Sequence, residues 1–240
     1  MSDSAQQNGS CLKIADLHGL YGDSHVLQGV SLQIARGEVV TIIGRNGAGK
    51  TTTLRAIMGL LDKRSGSINV WGREVIADPP ERIAKLGVGY VPEERGIYAT
   101  LDVTENLLLP PRVGEGGMAL EEIFKLFPNL RERRRSQGTR LSGGEQQMLA
   151  IARVLRTGAR LFLLDEPTEG LAPVIVQQIR QAIELMKQDG YTILLVEQNF
   201  RFAQRLADRH YVMERGRIVD MIARADVASQ SARIQAYLGI

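Results

Sequence analysis

Three groups of residues have the types and spacing to do chemistry. The first is Gly44-Arg45-Asn46-Gly47-Ala48-Gly49-Lys50-Thr51-Thr52, which fits the spacing of a phosphate-binding loop, Gly-x-x-x-x-Gly-Lys-Thr, at every defined position. Glycines let consecutive backbone N–H groups turn inward around an anion, and a helix starting near Gly49 adds the positive end of its dipole. Lys50 is then placed to reach the β- and γ-phosphates of a nucleoside triphosphate, and the Thr51 hydroxyl to reach Mg²⁺. The second group is Asp165-Glu166, at the end of the apolar run Leu161-Phe162-Leu163-Leu164 and about 115 residues beyond Lys50. Two acids at the end of a buried strand are common by themselves. After a phosphate loop they become a metal and base pair: adjacent residues on a strand alternate faces, so Asp165 is expected to hold Mg²⁺ and Glu166 to polarise the attacking water.

The third group is Leu141-Ser142-Gly143-Gly144-Glu145-Gln146-Gln147, leading into a helical pattern through Met148, Ile151, Ala152 and Leu155. Ser142 and Glu145 have the spacing of a capping box, which accounts for a well-started helix and nothing more. Two glycines inside the first turn weaken a helix by about 0.5–1 kcal/mol each relative to alanine. Bare backbone is therefore expected to face an anion there, which implies a second phosphate contact made by Ser142, Gly143, Gly144 and Glu145.

These groups need elements to hold them. The β-branched run Val39, Val40, Ile42, Ile43 predicts a buried strand entering the phosphate loop, with a helix of about Lys50 to Leu61 leaving it. Leu12, Ile14 and Leu17, then Val30, Leu32 and Ile34, alternate and predict an N-terminal antiparallel β unit. A turn over Asp62 to Gly66 leads to a strand from Ser67 to Trp71, where Trp71 is read as a packing residue, and Asp78-Pro79-Pro80 opens a short helix before strand Val88 to Val91. From Glu93 to Arg156 the periodicity turns helical (Leu120, Ile123, Phe124, Phe127), and strands return at Leu161 to Leu164, Thr192 to Val196, Tyr211 to Glu214 and Ile218 to Asp220 around helices at Pro173 to Asp189 and Phe200 to Ala207. The fold class expected is α/β of the P-loop NTPase (RecA-like) kind: a mostly parallel sheet core, an N-terminal antiparallel β unit and an inserted α-helical subdomain. Its parts are a polar, disordered lead over 1–10, one nucleotide-binding domain over 11–240 with its core at 11–92 and 157–220, a helical subdomain at 93–156, and a tail at 221–240 ending in a short helix near Ala232 to Leu238.

The composition narrows the class further. At 240 residues and 44% hydrophobic the chain can bury a full core, and its formal charge of +3 is too small for a nucleic-acid stripe. The dense Arg131 to Arg135 run reads as a solvated helix end. One cysteine, Cys11, rules out an internal disulfide framework and suits a reducing compartment. His18, His25 and His210 lack ligand spacing, so no zinc is expected. No apolar run reaches the roughly 20 residues that span a bilayer, and the first ten lack signal-peptide character, so membrane attachment is expected to run through a partner.

Phosphate loop, Leu141 to Gln147 and Asp165-Glu166 occur in the order of the nucleotide-binding subunits of ATP-binding cassette (ABC) transporters, and the resemblance spans about Leu12 to Asp220. It implies ATP and Mg²⁺ as cofactors, Tyr21 stacking on adenine with Val26 beside it, and two domains facing head to tail. Ser142 to Glu145 of one chain would then contact the γ-phosphate held by Gly44 to Thr52 of the other. The helical subdomain would dock on transmembrane permeases at the cytoplasmic face of the inner membrane, with no nucleic-acid partner. Three positions differ from the usual pattern: Glu93 stands where Gln is common after Val91-Pro92, Gln198 where a switch His is common, and Ala172 where Asp is common. Glu93 is still an oxygen ligand for Mg²⁺. Gln198 can hydrogen-bond a γ-phosphate, yet cannot carry positive charge or relay a proton. With Glu169 to Ile179 and Val196-Glu197-Gln198-Asn199, these differences resemble one of the two ATP-binding subunits of branched-chain amino acid importers. The implied partners are a sister ATPase in a heterodimer, with a homodimer as the alternative, two permeases and, indirectly, a periplasmic binding protein. Two other classes compete: a soluble ABC ATPase acting on DNA or the ribosome, usually built with two cassettes or a coiled-coil insertion, and an ATP-driven switch with weak intrinsic hydrolysis.

Overall fold

The computed structural model describes residues 9–239. Of the expected lead at 1–10, residues 1–8 lie outside that range, and Ser10 already begins a strand. Strands β1 (Ser10–Tyr21) and β2 (Ser24–Ala35) pair antiparallel with Leu12 opposite Ile34, Ile14 opposite Leu32 and Leu17 opposite Val30, all six buried. Then come β3 (Val39–Ile43), α1 (Lys50–Ile57), β4 (Lys63–Val70), β5 (Arg73–Glu74), α2 (Pro80–Ala84) and β6 (Val88–Val91). Helices α3 (Val103–Leu108), α4 (Leu120–Leu126), α5 (Pro128–Glu132) and α6 (Gly143–Arg156) follow, and then β7 (Leu161–Asp165), α7 (Pro173–Gln188), β8 (Thr192–Glu197), α8 (Phe200–Leu206), β9 (Arg209–Glu214), β10 (Arg217–Ala223) and α9 (Ser231–Leu238).

The strands form two sheets, β2-β1-β4-β5 and β10-β9-β3-β8-β7-β6. In the larger sheet β9, β3, β8, β7 and β6 run parallel and β10 closes the edge antiparallel. Every residue of β3, β7 and β8 is buried, as expected of parallel strands covered on both faces. Their pleat divides two cores. Phe162, Leu164, Ile193 and Leu195 pack with α6, α7 and the helices before them; Leu161, Leu163, Leu194 and Val196 pack with α1 and the antiparallel sheet. Register pairs Ile43 with Glu197 and Asp165 with Val196, so the carboxyl ends of β3, β7 and β8 finish together, where α/β sheets bind ligands.

Several expectations are corrected. Helix α1 ends at Ile57 rather than near Leu61: Gly59 turns left-handed (φ 76°), and the Leu60 N–H reaches back to the Arg55 carbonyl at 2.8 Å. No helix forms over Glu93 to Asp102, and β10 runs on to Ala223, past the expected start of the tail. Trp71 packs against the core as read, but it lies just past the end of β4 in a left-handed turn (φ 52°), its ring covered by the Arg36 guanidinium 5.1 Å from the centroid. Residues Lys63 to Gly66, read as a turn, are strand. Gly66 adopts φ 106° opposite the shifted register of β1 between Ala15 and His18, and a Cβ there would overlap the Asp16 carbonyl. Gly66→Ala is therefore expected to lower unfolding free energy by about 1–3 kcal/mol in urea titration, the range for a side chain forced into a left-handed site.

Candidate active site

The phosphate loop is the turn from β3 into α1. Gly47 and Gly49 occupy left-handed conformations (φ 76° and 107°), and a Cβ on Gly44 would overlap the Met213 carbonyl, so these glycines are required sterically. Lys50, 4% exposed, donates to the Gly44 and Arg45 carbonyls at 3.0 and 3.2 Å, and its Nζ lies 3.4 Å from Glu166 Oε1. The ammonium thus ties the loop from β3 to the end of β7. Thr51 Oγ1 donates to Asp165 Oδ1 at 2.9 Å, and the Tyr90 hydroxyl donates to Asp165 Oδ2 at 3.0 Å. Burial pushes the Asp165 carboxyl up to about 6 against these two donors, and nearby Glu166 and Glu93 add to the rise.

The two acids do not alternate faces along a strand as expected. Strand β7 stops at Asp165, and Glu166 sits past it in a left-handed conformation (φ 43°), its N–H bonded to the Val196 carbonyl at 2.9 Å. This bend, rather than the pleat, separates the two carboxylates. Glu166 Oε2 accepts from Gln198 Nε2 at 2.6 Å, so its carboxylate lies between the Lys50 ammonium and the Gln198 amide. Glu166 also lines a cavity of about 420 Å³. Val26, Asn46, Gly47, Gly49, Lys50, Thr51, Thr52, Glu93, Glu166 and Gln198 line it, together with Glu169, which sequence reasoning did not single out. Arg45 and Ala48 line a neighbouring cavity of about 470 Å³ with Asn46, Gly47 and Arg215. Tyr21 is 44% exposed at the end of β1 and lines neither.

Ser142 caps α6 as expected: its Oγ accepts from the Glu145 N–H at 3.3 Å, and Glu145 Oε2 accepts from the Ser142 N–H at 2.7 Å. The glycine argument is corrected in part. A Cβ on Gly144 would press within 2.8 Å of the Ile175 side chain on α7, so packing gives that glycine a reason of its own, while the atoms nearest a Cβ on Gly143 are those of the Arg95 guanidinium. Ser142 to Glu145 line neither cavity beside the phosphate loop. Tyr90 and the pair Thr168–Glu197 were also missed. A tyrosine near the end of β6 carries no linear mark of its partner on β7, and Glu197 lay one residue past the expected end of its strand.

The oxygen donors Thr51, Asp165 and Glu93 are the hard ligands Mg²⁺ takes, and Asp165 is buried where a cation would stabilise its charged form. His18 Nδ1 approaches His25 Nε2 at 3.0 Å, and among the described residues no cluster of three or more His, Cys, Asp or Glu has metal-binding geometry.

Comparison with known proteins bears on this geometry. A family model described as ABC transporter matches residues 27–169. The chain belongs to the ABC transporter family. This ABC transporter ATP-binding subunit is 42% identical over 222 residues, 91% of its length and 95% of the relative's, to the high-affinity branched-chain amino acid transport ATP-binding protein BraG of Pseudomonas aeruginosa. It is 35% identical to the probable branched-chain amino acid transport ATP-binding protein LivF of Archaeoglobus fulgidus, covering 86% of this chain and 89% of that one. It is also 30% identical to the lipopolysaccharide export system ATP-binding protein LptB of Escherichia coli K12, covering 95% and 97%. Among solved structures, a dimeric ATP-binding cassette in a post-hydrolysis state, bound to ADP and Pi, superposes with a TM-score of 0.77 at 25% identity over 89% of this chain and 98% of that one. Among the described residues, no helix of the ABC subunit is long and apolar enough to cross a membrane.

Proposed function

We propose that this chain is the ATP-binding and ATP-hydrolysing subunit of an importer for branched-chain or related amino acids, acting at the cytoplasmic face of the membrane through partner permeases. One observation carries the catalytic part: a carboxylate, Glu166, held between Lys50 Nζ at 3.4 Å and Gln198 Nε2 at 2.6 Å, faces a cavity floored by the phosphate loop. On this reading Lys50 exchanges its carbonyl and carboxylate partners for the β- and γ-phosphates, while the N–H groups of Gly47 to Thr52 surround the phosphate chain. Freed of Lys50, Glu166 orients the attacking water and takes its proton. Gln198 holds that carboxylate in place, and as a donor it also reaches a γ-phosphate oxygen. Thr51, Asp165 and Glu93 would hold Mg²⁺, which when bound offsets charge on the β- and γ-phosphate oxygens. Tyr21, exposed at the end of β1, would cover the adenine.

Ser142 to Glu145 lie away from this cavity, which supports their acting on a second chain's nucleotide, in a pair made with a sister ATPase or another copy. Asymmetry of the pair fits the replacement of the usual His and Asp by Gln198 and Ala172. Identity of 42% to an amino acid transport subunit supports import, whereas the 30% identity to LptB over nearly the whole chain supports an export reading. Inside-out vesicles holding this chain, its permeases and the sister subunit, with a binding protein in the lumen, separate the two. ATP added outside is expected to drive release of radiolabelled leucine, isoleucine or valine from the lumen. ATP turnover with all three amino acids retained would reject the import reading.

A further inference from the structure

The carboxylate of Glu197 is the least expected group near the site. It closes β8 at 2% exposure, and among the described residues it has no cationic partner within ion-pair distance. Its neighbours are instead three donors from two different loops. Oε1 accepts from Thr168 Oγ1 at 2.7 Å and from the Thr168 N–H at 3.2 Å, and Oε2 accepts from the Asn199 N–H at 3.2 Å. Burial pushes this carboxyl up to about 7 even though all three donors favour its charged form. An apolar residue would fill the last position of a buried strand at less cost, since a buried polar group must recover its lost hydration through hydrogen bonds.

Thr168 lies two residues beyond Glu166, and Asn199 one beyond Gln198. The carboxylate therefore fastens the loop after β7 to the loop after β8, and those loops supply the two ends of the 2.6 Å contact between Glu166 and Gln198. The Glu166 end needs such a restraint because it departs from the strand in a left-handed conformation. We propose that Glu197 is a positioning residue that holds Gln198 against Glu166 and so sets the orientation of the catalytic carboxylate. This inference rests on the role given to Glu166 above.

A double-mutant cycle tests it, read as steady-state ATP hydrolysis of the chain in complex with its partner subunits. Glu197→Ala is expected to lower kcat by about 10- to 100-fold, the scale for a displaced reactive group, with KM for ATP changed less than about 3-fold. In Glu197→Gln the amide oxygen still accepts from Thr168 while the contact to Asn199 is lost, so the loss shrinks to about 3- to 10-fold. The decisive comparison is in the Gln198→Ala background, where removing Glu197 as well should slow the enzyme no further, because the partner it positions is already gone. If Glu197→Ala fails to fold, Glu197→Gln carries the same cycle. Losses that multiply across the two positions, or a Glu197 variant with unchanged kcat, would overturn the proposal while leaving Glu166 as base. A wild-type complex that hydrolyses no ATP, or a Glu166→Gln complex at full rate, would overturn the underlying reading and this one with it.

Discussion

A chain carrying Glu166→Gln should bind ATP at least as tightly as the wild type and release phosphate about 10²- to 10⁴-fold more slowly, the contribution of a positioned general base. Glutamine keeps the volume and an oxygen able to accept from Gln198, so the 2.6 Å contact can persist. What it lacks is basicity toward the water proton. It also lacks the charge that engages Lys50 at 3.4 Å, so the ammonium is released to the phosphates and affinity does not fall. Fluorescent ATP-analogue titration and coupled phosphate release measure the two quantities on one sample. Unchanged turnover would take Glu166 out of the base role.

Removing the cation reverses the pattern. Lys50→Ala should weaken ATP binding by about 10- to 100-fold, the equivalent of one hydrogen bond from a charged donor, and abolish hydrolysis even at saturating ATP. The lost group is buried, and it bonds the Gly44 and Arg45 carbonyls and neighbours Glu166. Its removal leaves that carboxylate without its cation in a half-enclosed site, which favours a shift of the loop after β7. Calorimetric titration with ATP and Mg²⁺ reads the affinity loss. Wild-type affinity in the variant would mean that the backbone N–H groups alone hold the phosphates.

Much of this was legible in the linear sequence because the relevant rules are local. The phosphate loop has a fixed spacing on which its steric demands act, and continuous apolar runs such as Val39–Ile43 and Leu161–Leu164 mark strands buried on both faces. The capping box of Ser142 and Glu145 is likewise a four-residue event. What escaped is long-range. Gly66 reads as a turn until the irregular register of β1 places the Asp16 carbonyl against it. The packing reason for Gly144, Ile175 of α7 lying where its Cβ would be, is invisible until α7 is in place. Asp165, bonded by Tyr90, lies 75 residues from it, and Thr168, bonded to Glu197, lies 29 residues from it; parallel strand pairing that no local pattern encodes brings both together. Even the separation of the Asp165 and Glu166 carboxylates comes from a backbone bend after β7 rather than from strand alternation.

On the proposed reading this chain supplies half of a site. Lys50, Glu166 and Gln198 surround one side of the cavity, while Ser142 to Glu145, capped and unstrained, lie elsewhere in the same chain. The most direct test is the rate of ATP hydrolysis per chain, measured as the protein is diluted at fixed ATP and Mg²⁺ and again as the sister subunit is titrated in. The rate per chain is expected to fall on dilution and to rise to a plateau at one sister subunit per chain. A rate per chain that stays constant in both series would contradict the account, since the site would then be complete within one chain.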